Sequence, residues 1–114
     1  MDASRVLVVV ADDFGIGPAT SRGILDLAAR GKVTGTVLLV NSPHAAEAVR
    51  DWRRAGGPGR LDLGWHACLT LDRPVLPPHR VPSLVGPDGA FLPLARLLAR
   101  LAVGRVSLDQ VRAE

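Results

Sequence analysis

The chain is poor in several residue types, and each shortage excludes something. There is a single cysteine, Cys68, so no internal disulfide framework can form. There is a single lysine, Lys32, and the other basic residues are arginines scattered along the sequence. Aromatic residues make up only 4% of the chain, with no tyrosine at all. A nucleic-acid binder needs a basic stripe, often with aromatics to stack on bases. Neither is visible, so the net charge of +3 and the pI near 10.4 read as a habit of composition. No apolar run approaches the ~20 residues of a membrane-spanning helix. The run over residues 6–11 is too short for a secretory leader and leads straight into two acids. The chain therefore reads as cytoplasmic. Its 114 residues suffice for one domain, and a 47% hydrophobic content allows a buried core.

What is present begins with Ala11-Asp12-Asp13-Phe14-Gly15, at the end of the apolar, mostly β-branched run Val6-Leu7-Val8-Val9-Val10. Adjacent carboxylates directly after a buried strand are costly, because like charges and burial both disfavour ionisation. Such a pair calls for a cation to neutralise it or a proton to move.

The elements around it alternate. Strands are expected at about 5–11, 33–40 and 61–69, the first covered on both faces. Helices are expected at about 17–30 and 43–55. Pro18 opens the first and Gly31 stops it. Asn41 or Ser42 caps the second, and Gly56-Gly57-Pro58-Gly59 ends it. Strand–helix–strand–helix–strand argues for parallel strands with right-handed crossovers, an α/β fold. Residues 72–93 form a proline-rich loop, of a length usually reserved for function or for a lid. A helix at about 94–103 follows. The capping-box pattern Ser107-Leu108-Asp109-Gln110 then opens a helix over 107–114. Three parallel strands leave open sheet edges, so the sequence reads as a single incomplete α/β domain, the first part of a larger one.

Polar groups fall at all three strand ends: Asp12 and Asp13, then Asn41, then His66 in Gly64-Trp65-His66-Ala67-Cys68-Leu69-Thr70. Ligands of parallel α/β sheets bind at the carboxyl ends of the strands. A carboxylate and an imidazole meeting there suit a divalent metal, and the neighbouring carboxylate is free to serve as a general base.

With these residues in view the chain resembles the YdjC-like carbohydrate deacetylases, a family that includes chitooligosaccharide deacetylases and hopanoid-biosynthesis-associated deacetylase-like proteins. The likeness runs through Ala11-Asp12-Asp13-Phe14-Gly15, Arg22-Gly23-Ile24, Gly31-Lys32-Val33-Thr34 and Val40-Asn41-Ser42-Pro43. It continues through residues 64–70, Arg73-Pro74-Val75, residues 81–85 and Asp88-Gly89-Ala90-Phe91. The resemblance implies the N-terminal portion of a distorted (β/α) barrel, dimeric in many members. It implies a divalent metal (Mg, Zn, Mn or Fe) held by Asp13, by His66 and by a further histidine beyond this chain, with Asp12 as catalytic base. It also implies hydrolysis of an N-acetyl group from an amino sugar or oligosaccharide. Asn41 is a candidate for substrate contact.

Plainer roles stand beside these. Asp12-Asp13 could cap a helix, and His66 could be a core histidine held by backbone. Asn41 could merely end its strand. Alternation places Trp65 opposite His66, facing outer helices as core. Cys68 shares the face of His66 by the same counting, as a small buried thiol or a neighbour of the ligands. His44 marks a helix start, while His79, Arg80 and Arg73 read as surface groups. The glycine cluster at 56–59 lacks the Lys-Ser/Thr ending of a phosphate loop. A receiver-type signalling module also carries paired acids after its first strand. It needs an acceptor aspartate after the third strand and a later lysine, and this chain has neither. The remaining alternative is a non-catalytic partner, or an inactive fragment lacking the third ligand.

Overall fold

The computed structural model describes residues 5–114. In chain order the elements are β1 (Val10–Phe14), α1 (Pro18–Ala29), β2 (Gly35–Leu38), α2 (Ala45–Arg54) and β3 (Asp62–Trp65). A 3-10 turn at Pro78–Arg80 follows, then α3 (Leu94–Ala102) and α4 (Leu108–Ala113). The chain divides into two compact units, one ending at His66 and one running from Ala67 to Glu114.

The first unit is α/β. Its three strands are all parallel, in the order β1-β2-β3. Ala11, Thr36 and Leu63 lie in one row across the sheet and therefore share a face. The helices pack on that face. Ile24, Leu25 and Ala28 of α1 and Ala48 and Trp52 of α2 join Ala11, Phe14, Leu38 and Leu63 in one cluster with Val33 and Leu61. Phe14 is fully buried at its centre. α2 ends where Gly56 takes a left-handed conformation. Gly57 then passes beneath the Trp52 indole so closely that a Cβ would run into the ring. The indole Nε1 donates to the Leu61 carbonyl at 2.9 Å, which ties the turn to the start of β3.

Two expectations change here. The first strand is not covered on both faces: Val6, Leu7 and Val8 are largely exposed, and Val10 is 52% exposed. β1 begins only at Val10. Just before it, the Val9 carbonyl accepts N–H groups from Thr34 and Gly35 at 2.9 and 3.1 Å. Trp65, expected in the core, is 69% exposed. It lies in the Leu38 row, on the helix-bearing side, but does not belong to the α1–α2 cluster.

The second unit has little regular structure ahead of its helices. The proline-rich stretch supplies most of its core: Val81, Leu84, Val85 and Phe91 are buried, with Leu69, Leu76, Leu97, Val106 and Val111 packed against them. A tight turn over Asp88-Gly89 joins Val85 to Phe91 in an antiparallel bridge. Side chains from the helices hold the rest. The Glu114 carboxylate accepts the Val75 and Leu76 N–H groups at 2.6 and 3.0 Å. The Gln110 Oε1 accepts the Ser83 N–H at 2.8 Å. Arg100 donates to the Ser83 carbonyl at 3.1 Å. The capping box at Ser107 forms in half. Its hydroxyl accepts the Gln110 N–H at 3.4 Å, while the Gln110 side chain is engaged by Ser83. Leu97 of α3 faces this core, whereas Leu94, Leu98 and Leu101 are more than half exposed.

Candidate functional site

Asp12 and Asp13 lie inside β1, not after it. Register explains why they still mark a strand end. Ala11 pairs with Thr36 and Phe14 with Leu38. Three steps on β1 therefore match two on β2, and the extra residue falls at the acid pair. This is a β-bulge, a device that bends a strand and re-aims a side chain. Asp13 has φ +62, in the left-handed region that few residues other than glycine, asparagine and aspartate enter. Its carbonyl accepts the Ile16 N–H at 3.0 Å, closing a turn through Gly15. Gly15 has φ +88, and a Cβ there would approach Leu38 Cδ1 to 3.0 Å and the Ala45 backbone to 3.4 Å. The positive φ favours glycine, and a Cβ would need the Leu38 side chain to give slightly.

β3 delivers the partner. The His66 N–H donates to the Leu38 carbonyl at 2.9 Å, which extends the ladder one step past Trp65. The imidazole then reaches Asp13, on the strand at the other edge of the sheet. His66 Nδ1 lies 3.4 Å from Asp13 Oδ1, and the Asp13 N–H donates to the same Nδ1 at 3.4 Å. An unprotonated Nδ1 accepts the backbone N–H; a protonated one pairs with the carboxylate. The Asp13 side chain is 50% exposed and that of His66 32%, so both are open to a ligand. Asp12 is exposed beside them. The heavy burial that made an acid pair look costly in the sequence is absent.

The other sequence candidates sit as follows. Asn41 is half-buried, in the turn closed by the Ser42 N–H on the Leu39 carbonyl. His44 precedes α2 with no side-chain cap bond; Ser42 Oγ accepts its N–H at 3.2 Å instead. Cys68 belongs to the second unit, 3.9 Å from the Thr70 hydroxyl. β3 ends at Trp65, so strand alternation does not extend to Cys68. His79 and Arg80 lie in the exposed 3-10 turn.

The donor set can be tested against a metal. Two ligands about 2.0–2.2 Å from one tetrahedral ion stand roughly 3.3–3.5 Å apart. The 3.4 Å between Asp13 Oδ1 and His66 Nδ1 matches this spacing, and an ion bound at Nδ1 would take over the lone pair that accepts the Asp13 N–H. Among the described residues no group of three His, Cys, Asp or Glu side chains is placed to hold an ion.

A family model described as YdjC-like protein matches residues 6–114. The chain belongs to the YdjC-like protein family. Among similar proteins, the carbohydrate deacetylase of Mus musculus is 43% identical over 109 residues, covering 95% of this chain and 34% of that protein. The carbohydrate deacetylase of Enterococcus faecalis is 42% identical over 91 residues, covering 78% of this chain and 34% of the relative. A crystal structure from Enterococcus faecalis V583, of a protein named provisionally for cellobiose-phosphate cleavage, matches with a TM-score of 0.81 at 37% identity. That match covers 94% of this chain and 39% of the other. The chain thus spans about a third of the length of these curated relatives. The α/β arrangement with parallel strands agrees with the expectation from sequence. No helix among the described residues is long and apolar enough to cross a membrane.

The sequence singles out Asp13 and His66, and the structure brings them together across β2. Sequence reasoning misses the bulge that turns Asp13 toward the histidine, because nothing in an Asp-Asp pair distinguishes a bulged strand from a regular one. It also misses that the Ser21 hydroxyl accepts the Gly15 N–H and the Thr36 hydroxyl donates to the Ala11 carbonyl, since both look like any helix serine or strand threonine.

Proposed function

We propose that this chain is the acid- and histidine-bearing part of a metal-dependent carbohydrate N-deacetylase, acting on an acetylated amino sugar or oligosaccharide. The observation that supports this best is the 3.4 Å approach of Asp13 Oδ1 to His66 Nδ1 at the carboxyl end of a parallel sheet, in a chain of this family. In this reading Asp13 and His66 hold a divalent ion, of which Mg, Zn, Mn and Fe are the candidates, and its remaining ligand comes from outside the described residues. Such an ion supplies Lewis acidity toward an amide carbonyl and toward water. Asp12, exposed on the bulge beside Asp13, accepts the proton that a water loses on attacking the acetyl carbon. Asn41, in the turn after β2 at the same end of the sheet, would contact the sugar in this reading. The site would belong to a larger (β/α) barrel working in the cytoplasm, as a homodimer.

The test is direct. In a version extended to the full length of the relatives, isothermal titration with Zn2+ should give one site in the wild type and none in Asp13→Ala or His66→Ala. Asp12→Asn should retain the site and lose acetate release from N-acetylglucosamine oligomers. Undiminished zinc binding in both Asp13→Ala and His66→Ala sinks the ligand assignment. The lack of a third ligand among the described residues favours one other reading, a partner or fragment without activity. Weak zinc affinity together with no acetate release from the wild type would select it.

A further inference from the structure

Three polar side chains are buried among the described residues: Ser21, Thr36 and Ser42, at 5%, 1% and 6% exposure. They come from different elements, α1, β2 and the turn before α2. All three hydroxyls bond to one five-residue stretch of backbone. Thr36 Oγ1 donates to the Ala11 carbonyl at 2.7 Å, on the near side of the bulge. Ser21 Oγ accepts the Gly15 N–H at 3.0 Å. Ser42 Oγ donates to the Gly15 carbonyl at 2.5 Å. The acid pair lies between these anchors.

We propose that Ser21, Thr36 and Ser42 are positioning residues for Asp13. They hold the backbone from Ala11 to Gly15 in the conformation that sets its carboxylate against His66. This rests on the reading of Asp13 and His66 as the working pair, and it assigns that pair a support which neither side chain supplies. The reason is physical. A bulge interrupts the ladder, and a left-handed aspartate departs from the preferred backbone. A strand distorted in this way relaxes unless its surroundings over-determine it. Here the peptide groups on both sides of the distortion are taken up by hydroxyls that cannot turn to water. A serine or threonine that merely satisfied itself could use any nearby carbonyl. Convergence from three elements on Ala11 and Gly15 marks a built support.

The experiment uses the same version extended to the relatives' full length, with Ser21→Ala, Ser42→Ala and Thr36→Val, the last keeping shape and losing the hydroxyl. Two readouts are taken on each: backbone chemical shifts of Asp13 with hydrogen exchange at the Gly15 amide, and Zn2+ affinity by isothermal titration. Ile24→Val, a mild loss in the same core, is the stability control, and Thr36→Ser restores a hydroxyl. We expect Asp13 shifts to move and Gly15 exchange to quicken in all three variants. Zinc affinity should fall about tenfold or more, as for groups that orient metal ligands. Thr36→Ser should recover it, and Ile24→Val should leave it alone. Unchanged Asp13 shifts in the three variants, or an equal loss of affinity in Ile24→Val, overturns the proposal. Wild-type protein that binds no zinc, with Asp13 shifts still moving in the variants, sinks the metal reading and leaves the support standing.

Discussion

Asp13 and Asp72 share a backbone conformation, with φ of +62 and +61, and sit in surroundings of opposite kinds. Asp13 lies in a sheet whose ladder is regular except at the bulge. Asp72 lies in a stretch with almost no regular structure. Its carbonyl accepts the Phe91 N–H at 3.0 Å, and its side chain is exposed. Around Asp13 the buried groups are hydroxyls gripping the main chain of one strand. In the unit that holds Asp72 the buried groups are apolar, and side chains of Glu114, Gln110 and Arg100 grip the main chain of a loop. The contrast separates two uses of irregular backbone. In the first unit a single departure from regularity aims a functional side chain. In the second, irregular chain is the structure itself, and the helices exist largely to fasten it.

The two cores offer the most forceful test of that contrast. Phe14 is fully buried, with α1, α2 and the sheet around it. Phe14→Ala should cost about 3–5 kcal/mol, read as a lower denaturation midpoint. Hydrogen exchange should quicken through β1, β2 and α1. If each core unfolds by itself, amides near Val81 and Leu84 should keep their protection. Equal loosening in both would show that the cores unfold as one.

What is legible in the sequence follows the same division. The alternation of elements through His66 can be read from hydrophobic runs, glycine stops and Pro18, since those signals are local. The acid pair and the histidine can be named from residue type and position at strand ends. The exposure of Val6, Leu7, Val8 and Trp65 cannot, because apolar runs report what a strand is suited to bury and not whether a layer arrives to bury it. The proline-rich stretch departs from expectation for a related reason. Pro74, Pro77, Pro78, Pro82 and Pro87 announce loop, yet Val81, Leu84 and Val85 between them form a core without periodicity, and no pattern rule detects that. The half-formed capping box shows the limit at one residue. The motif marks Ser107 as the cap, but only tertiary contact could send the Gln110 side chain to Ser83.

A gentler change probes the fastening role of the second unit's helices. Glu114→Gln replaces a carboxylate that accepts two backbone N–H groups with an amide that offers a single acceptor oxygen. Hydrogen bonds to charged groups contribute about 1.5–3 kcal/mol each before exposure is considered. Glu114 is partly exposed, so a loss of about 1 kcal/mol is expected, confined to exchange at Val75 and Leu76. Zinc affinity should not change. A fall in zinc affinity would mean that the fastening reaches the acid pair, and the two uses of irregular backbone would no longer be separate.

The mildest change bears most closely on the two aspartates. Left-handed backbone disfavours a Cβ by about 1–2 kcal/mol, while glycine loses about 0.5–1 kcal/mol through the freedom of its unfolded chain. Asp72→Gly should therefore stabilise the chain by about 0–1.5 kcal/mol, seen as a small rise in melting temperature, with zinc binding intact. Asp13→Gly relieves the same conformation and should raise stability by a similar amount, yet it removes the carboxylate and should abolish zinc binding. A gain in stability at both positions, with ligand binding lost at one alone, would mean that the same local strain is incidental at Asp72 and serves a site at Asp13. Destabilisation by Asp13→Gly would mean instead that the Asp13–His66 contact itself holds the bulge. The hydroxyls of Ser21, Thr36 and Ser42 would then be followers of that contact and not its support.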